Sequence, residues 1–555
     1  MPERPGQAAF RFLLSRDFWL AVLLLVVLAV VAAIRIRLLN VPLERDEGEY
    51  AYAGQLMLQG VPPYQDVYSM KWPGTFAAYA LIMEIFGQTI GGIHAGLVLV
   101  NLATAALIFV LAKRVCGKLA GVVAAGTYAL LSITPPTLGL AAHAAHFVAL
   151  FALGGILLIQ NLNERTSAAR VFAAGLLLGI SVLMKQSGAI FGLFTALWIV
   201  RQEAAQAEKE ARRLAIRLGS LALGGALPVL LMGAVLAVTG VFGQFWLWTV
   251  EYARAYSAIF TPAEGTQVLL SMTAKLFQAA PGLWSAAGFG VVLLFCERSL
   301  RPERFFIRGF AAFSFLAVCP GWYFREHYFL LLLPAVGLLA GVAVEVISRW
   351  MVRLRLPLGS MAVPILLFAG AAAWTLIVSR AIFFQLAPAE VSREIYGANP
   401  FPEAVEIGRY LKAHSPPDAR IAVVGSEPEL YFYSHRRSAT GYIYTYPLME
   451  PQPLAVSMQR EMISEIEKAN PAYTVFVCVP ASWLERSDSP TLILDWFEGY
   501  QRERLTLAAW VEMLSGNPSE YHWSVPAGQP FAPESKRWVA IFKNKPPPAA
   551  PPESR

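Results

Sequence analysis

Residues 18–52 read FWLAVLLLVVLAVVAAIRIRLLNVPLERDEGEYAY: an apolar run, a basic step at Arg35 and Arg37, then three acids within the four residues Asp46 to Glu49. Phe18 to Ile34 is long enough to cross the hydrocarbon layer. No small-residue cleavage site follows it, so an uncleaved first membrane helix is expected rather than a signal peptide. Apolar runs of this kind recur along the first two thirds of the chain. Of the 555 residues, 56% are hydrophobic and 15% charged, and the mean hydropathy is +0.50. A soluble protein of this size needs far more surface charge. The net charge of +7 lies in short loops between apolar runs, which orients membrane helices rather than forming a nucleic-acid patch. Four scattered cysteines, Cys116, Cys296, Cys319 and Cys478, have neither CxxC nor metal-ligand spacing, which argues against a disulfide framework.

The expected fold is a polytopic α-helical membrane protein with about eleven transmembrane helices, near 18–38, 90–112, 119–137, 143–160, 169–184, 187–201, 217–240, 281–296, 306–321, 328–348 and 361–383. With the N-terminus inside, the cytoplasmic loops carry about twenty basic residues, among them Arg4, Lys113, Lys209, Arg301 and Arg353. The opposite side carries about eight before the C-terminal region. Two outer segments are long. One, residues 39–89, holds amphipathic helices. The other, 241–280, has an aromatic cluster from Phe242 to Tyr256 suited to a helix in the headgroup layer. The expected division is a membrane domain over 1–384, a soluble α/β domain outside over 385–544, and a disordered proline-rich tail over 545–555. Within the second domain, strands are expected at 420–425, 473–479 and 538–542, and helices at 403–413, 455–469 and 491–513.

The chemistry-bearing stretch is Glu44-Arg45-Asp46-Glu47-Gly48-Glu49-Tyr50. Helical character runs on to Gln59, and Gly60 with Pro62-Pro63 stops it. Asp46 and Glu47 therefore start a helix near the membrane surface. An acid there caps a helix and complements its dipole. Three acids in four residues exceed that need, and anionic headgroups repel them. Next come Tyr64, Asp66, Tyr68 and then Met70-Lys71-Trp72-Pro73-Gly74, leading into an amphipathic stretch to Phe86. Lys71 is either a phosphate ligand or an interfacial lysine reaching for headgroups. Lys185, inside a 30-residue apolar stretch, is a hairpin tip or an intramembrane charge. Arg325, Glu326 and His327 form either a ligand-binding loop or a solvated turn. His143 and His146 share a helix face, which alone is weak ground for a metal site.

An Asp-Glu pair after the first membrane helix, then a tyrosine and a small-residue helix, resembles the signature of GT-C glycosyltransferases. The branch is that of protein O-mannosyltransferases and the lipid A aminoarabinose transferase. Lys71-Trp72-Pro73-Gly74 is similar to that branch's Lys-Pro element, with Trp72 as a departure. Glu326-His327-Tyr328-Phe329-Leu330 through Pro334-Ala335 is similar to its tyrosine and LLLP helix. The resemblance spans roughly 10–385 and is specific around 44–80. It implies a bacterial inner-membrane enzyme with its active site on the periplasmic side. That enzyme moves a sugar, with inversion, from a polyprenyl-phosphate donor to a hydroxyl or phosphate of an envelope glycan, glycolipid or protein. It further implies Asp46 as base, Glu47 as its catalytic partner, and Tyr50, Lys71, Lys185, Arg325, His327 and Tyr328 as substrate-binding residues. No cofactor or metal is assigned, although a divalent metal is compatible; the partners are lipid bilayer, lipid-linked sugar and acceptor, and not nucleic acid. The alternative is a transporter or lipid flippase, which should show inverted repeats and buried ionisable groups; the chain shows no repeat.

Overall fold

The computed structural model describes residues 16–206, 210–356, 359–514, 518–525 and 531–545. Arg4, Lys209 and the tail after Lys545 lie outside the described residues. Each of the eleven expected segments overlaps a helix. By length and apolarity, four of the described helices can cross a bilayer alone: Asp17–Arg37, Ile90–Cys116, Ala211–Val238 and Leu333–Arg353. Pro262–Ala279 and Pro281–Cys296 meet the same measure as a pair bent by 115°. Shorter apolar helices, including Lys118–Leu131, Ala144–Ile159 and Ala168–Met184, accompany them.

Small residues permit close helix contacts. Gly337 and Gly341 face the carbonyls of Ala124 and Ala120, and a Cβ on Gly337 would stand 2.5 Å from Ala124 O. Where the helices share an apolar solvent, such close backbone approach replaces hydrophobic drive as the source of association. Side chains such as Leu230, Leu231, Val235 and Val238 stay exposed along Ala211–Val238, as suits a face turned to lipid.

Within the segment 39–89 the chain forms two helices, Arg45–Leu58 and Pro73–Phe86. Glu44 caps the first: its carboxylate accepts from Glu47 N, and the Glu47 carboxylate accepts from Glu44 N in return. This capping box satisfies two orphan donors. It uses Glu44 and Glu47 and leaves Asp46 with no capping task. Proline at the start of the second helix has its missing N–H where no partner is needed, and Trp72 is the residue before it.

The C-terminal region carries a six-stranded sheet with strands β1 (Arg420–Val424), β2 (Arg437–Ser438), β3 (Tyr473–Cys478), β4 (Leu505–Glu512), β5 (Glu520–His522) and β6 (Trp538–Asn544). The spatial order is β2-β1-β3-β6-β4-β5. The pairs of β1 with β2 and β3 are parallel, and the rest are antiparallel. One expectation is corrected. The stretch 491–513 is helical only over Leu492–Arg504, and the remainder is β4. Thr506, Trp510 and Val511 favour a pleated surface, and pairing with β6 from Leu505↔Asn544 to Glu512↔Trp538 satisfies the backbone.

The sheet region docks on the Arg45–Leu58 helix. Leu43 N donates to Tyr433 Oη at 2.9 Å, Ser438 N to Tyr52 Oη at 2.8 Å, and Tyr68 N to Gly441 O at 2.8 Å. Gly48 sits against the backbone of Glu429, so that a Cβ there would lie 2.6 Å from Glu429 N. The aromatic segment after Val241 also turns out differently from expectation. Trp248 and Tyr252 are buried and pack with Tyr68 and Tyr442, while Phe242 and Trp246 remain exposed. A tryptophan and a tyrosine expected among headgroups instead seal the seam between membrane helices and sheet.

Two predictions follow from this seam. Gly48→Ala forces the helix away from Glu429 and should cost about 1–3 kcal/mol, as overpacking does, read as a lower unfolding midpoint in detergent. Glu450 accepts from Tyr252 Oη at 2.5 Å. Burial raises its carboxyl from 4.5 to about 7, opposed by the Tyr252 bond and by Arg325. Because the folded value lies above the unfolded one, its stabilising contribution is complete below 4.5 and disappears as pH rises through 7. The melting temperature should therefore fall across that window, and Glu450→Gln should flatten the fall.

Candidate active site

The first turn of the Arg45–Leu58 helix spreads its acids by direction. Glu47 points into the protein, where its Oε1 accepts from Ala142 N at 2.6 Å and meets His94 Nε2 at 3.0 Å. It is 1% exposed. Asp46, one residue earlier, points to a different set of partners, with its side chain 20% exposed. Lys71 Nζ lies 2.5 Å from Asp46 Oδ1 and 2.9 Å from Glu49 Oε2. Glu49 stands three residues beyond Asp46, on the same helix face. The lysine is thus held between two carboxylates.

Aromatic rings complete this holder. The Lys71 ammonium stands 4.8 Å from the Tyr50 ring centroid and 5.6 Å from that of Tyr444. Tyr50 is itself wedged against Phe76 and Tyr79. Tyr444, from the sheet region, donates its hydroxyl to Asp46 Oδ1 at 2.9 Å. The other carboxylate oxygen, Oδ2, has His143 Nδ1 and His327 Nε2 each at 3.9 Å. The two imidazoles stack with centroids 4.2 Å apart.

Electrostatics follow from this geometry. Burial would raise the Asp46 carboxyl, but the Lys71 ammonium, helped by His327 and His143, holds it well below the usual carboxylate range. Burial disfavours the Lys71 charge too, and Asp46 and Glu49 outweigh it, keeping the ammonium well above its ordinary value. Glu49 is raised, mainly by burial, with Lys71 opposing. An ionised base beside a fixed cation is the outcome.

A second cationic group closes the other side. Lys185 follows the helix Ala168–Met184 at the tip of a hairpin, and its ammonium sits 3.4 Å from the Tyr328 ring centroid. Burial brings it down to about 7 against the pull of Asp46. The lysine is therefore a hairpin tip turned inward. Arg325 donates to Tyr256 Oη at 3.4 Å and stands 5.3 Å from the Tyr323 ring centroid. Its charge acts on Asp46 as well.

The fold thus brings Asp46, Tyr50, Lys71, Lys185, Arg325, His327 and Tyr328 to one place and directs the Glu47 carboxylate away from it. Sequence reasoning missed Glu49 and Tyr444. The three-residue spacing from Asp46 could have shown Glu49; nothing near Tyr444 marks it. Of the histidine pair, His143 joins the cluster. Asp46, His143 and His327 offer ligand atoms within 4.8 Å of one another, and among the described residues both ring nitrogens of His143 lack a hydrogen-bond partner. These three side chains suit a divalent cation, and His146 lies outside that set.

The fold is similar to that of the solved structures of ArnT and AglB. A sequence model of the family described as dolichyl-phosphate-mannose-protein mannosyltransferase matches residues 71–232, beginning at Lys71. Two similar solved structures are of ArnT from Cupriavidus metallidurans. The apo form is 16% identical with a TM-score of 0.57, over 95% of this chain and 98% of that one. The form bound to undecaprenyl phosphate is 15% identical with the same TM-score and coverage. The archaeal oligosaccharyltransferase AglB from Archaeoglobus fulgidus, in complex with an inhibitory peptide and a dolichol-phosphate, is 14% identical with a TM-score of 0.50, over 92% of this chain and 75% of that one. No curated protein matches the chain in sequence.

The two neighbouring acids should separate cleanly on mutation. Glu47→Ala leaves His94 Nε2 and Ala142 N without their carboxylate partner and should lower stability by about 2–4 kcal/mol, measured by denaturation in detergent. Asp46→Asn should leave the melting temperature within a few degrees of wild type.

Proposed function

We propose that this chain transfers a sugar from a polyprenyl-phosphate donor to a hydroxyl or phosphate of an envelope glycan, glycolipid or protein outside the cytoplasm. One observation carries the reading: a part-exposed carboxylate, Asp46, held by an ammonium at 2.5 Å and flanked by Lys185 and Arg325. Nucleotide sugars are absent on the outer side, so a donor there is lipid-linked. Undecaprenyl phosphate and dolichol-phosphate in the ArnT and AglB structures support a prenyl phosphate as its carrier.

In this reading eleven helices cross a bacterial inner membrane, the N-terminus is cytoplasmic, and residues 385–544 form the extracytoplasmic domain. The acceptor oxygen attacks the anomeric carbon and forms the new glycosidic bond. The bond from that carbon to the phosphate oxygen breaks, with its electron pair leaving on the phosphate. The acceptor's proton passes to Asp46 Oδ2, the oxygen not occupied by Lys71 and Tyr444. Lys71, Lys185 and Arg325 supply positive charge for the departing phosphate, and attack from the face opposite to it inverts the centre. Glu47 acts at one remove, by tethering the helix start through Ala142 and His94.

Asp46→Ser keeps a short polar side chain and removes the base. Transfer should fall roughly 10²- to 10⁴-fold, followed by mass spectrometry of the envelope lipids and glycans that disappear when the protein is deleted. Near wild-type transfer by this variant would end the proposal. Lys71→Met and Arg325→Met should each weaken binding of undecaprenyl phosphate about tenfold or more, measured on protein in nanodiscs.

A further inference from the structure

We infer that Tyr444, supplied by the sheet region, is a positioning residue for Asp46, so that the C-terminal domain is part of the catalytic centre and not only its cover. The inference rests on the transferase reading above.

Tyr444 donates to Asp46 Oδ1 at 2.9 Å, the same oxygen that Lys71 holds at 2.5 Å. Two donors on one oxygen set the plane of the carboxylate and leave Oδ2 directed at His143 and His327, each 3.9 Å away. A carboxylate free to turn about its own axis would present either oxygen to an acceptor. One pinned at Oδ1 presents only Oδ2, and such orientation is worth a large part of a proton-transfer step.

The tyrosine is itself pinned on both sides. Thr445 N donates to Ser426 Oγ at 2.9 Å, and Thr445 Oγ1 donates to Ser482 O at 3.0 Å. Tyr446 Oη donates to Ala481 O at 2.6 Å, and Tyr442 Oη to Glu461 Oε2 at 2.6 Å. The turn after β1 also registers the acid helix: Arg45 Nε donates to Ser426 O, and its Nη2 donates to Glu427 Oε1 at 2.7 Å. Ser426 therefore holds Arg45 through its carbonyl and Thr445 through its hydroxyl. These are the residues directly preceding Asp46 and directly following Tyr444. One turn of the C-terminal domain fixes the base and its orienting hydroxyl relative to each other.

The test uses the full chain in nanodiscs, with a radiolabelled extract of undecaprenyl-phosphate sugars as donor and envelopes from a deletion strain as acceptor. Tyr444→Phe keeps the ring beside Lys71 and removes only the hydroxyl. It should lower kcat about ten- to a hundredfold, with the donor KM, undecaprenyl phosphate binding and melting temperature unchanged. Wild-type kcat in Tyr444→Phe, or a loss that tracks a lower melting temperature or weaker binding, would overturn the inference. Asp46→Asn separates the two levels. If it is inactive while Tyr444→Phe is normal, only the positioning role fails. If Asp46→Asn retains wild-type kcat, the base assignment beneath it fails as well.

Discussion

The ion pair between Asp46 and Lys71 is the interaction on which the site depends. The two partners come from separate stretches of the 39–89 segment, and each retains about a fifth of its side-chain exposure. Deep burial would charge a desolvation cost that mutual attraction rarely repays, and full exposure would screen the pair to little value. Partial burial keeps both groups charged and leaves one oxygen of Asp46 uncommitted. Glu49 serves as the lysine's second counter-ion.

That pair stands only because the helix beneath it is secured elsewhere. Glu44 and Glu47 cap the helix reciprocally, and Glu47 also ties its start to Ala142 and His94. Arg45 ties the same turn to the sheet region through Ser426, Glu427 and Asn399. Three consecutive charged residues thus point to three different partners. A helix start with 100° between successive side chains can do this where an extended strand, with only two faces, cannot. The division of labour between Asp46 and Glu47 follows from this rotation.

The C-terminal domain bears on the site through close backbone approach as much as through side chains. Gly48 lies against the Glu429 backbone and Gly441 against the Tyr68 ring. The buried Trp248 and Tyr252 seal the adjoining edge. The seam is therefore closely packed and contains a titratable group, Glu450.

Membrane character, the positions of the helices and the acid cluster were legible in the sequence because they are local. Apolar length determines which segments can enter a bilayer, and β-branched runs such as Arg420–Val424 declare a strand without help. Asp46 stood out as one of three acids where anionic headgroups repel them, and Lys71 by its place in Lys71-Trp72-Pro73-Gly74. Tertiary structure alone decided that Leu505–Glu512 pairs as a strand, that Glu47 is buried while Asp46 stays part-exposed, and that Trp248 and Tyr252 of the aromatic segment face protein. It alone brought Tyr444 to Asp46 from 398 positions away. Periodicity and capping act over one or two turns of chain, whereas these outcomes depend on which distant surface arrives to bury a side chain, and no local pattern encodes that.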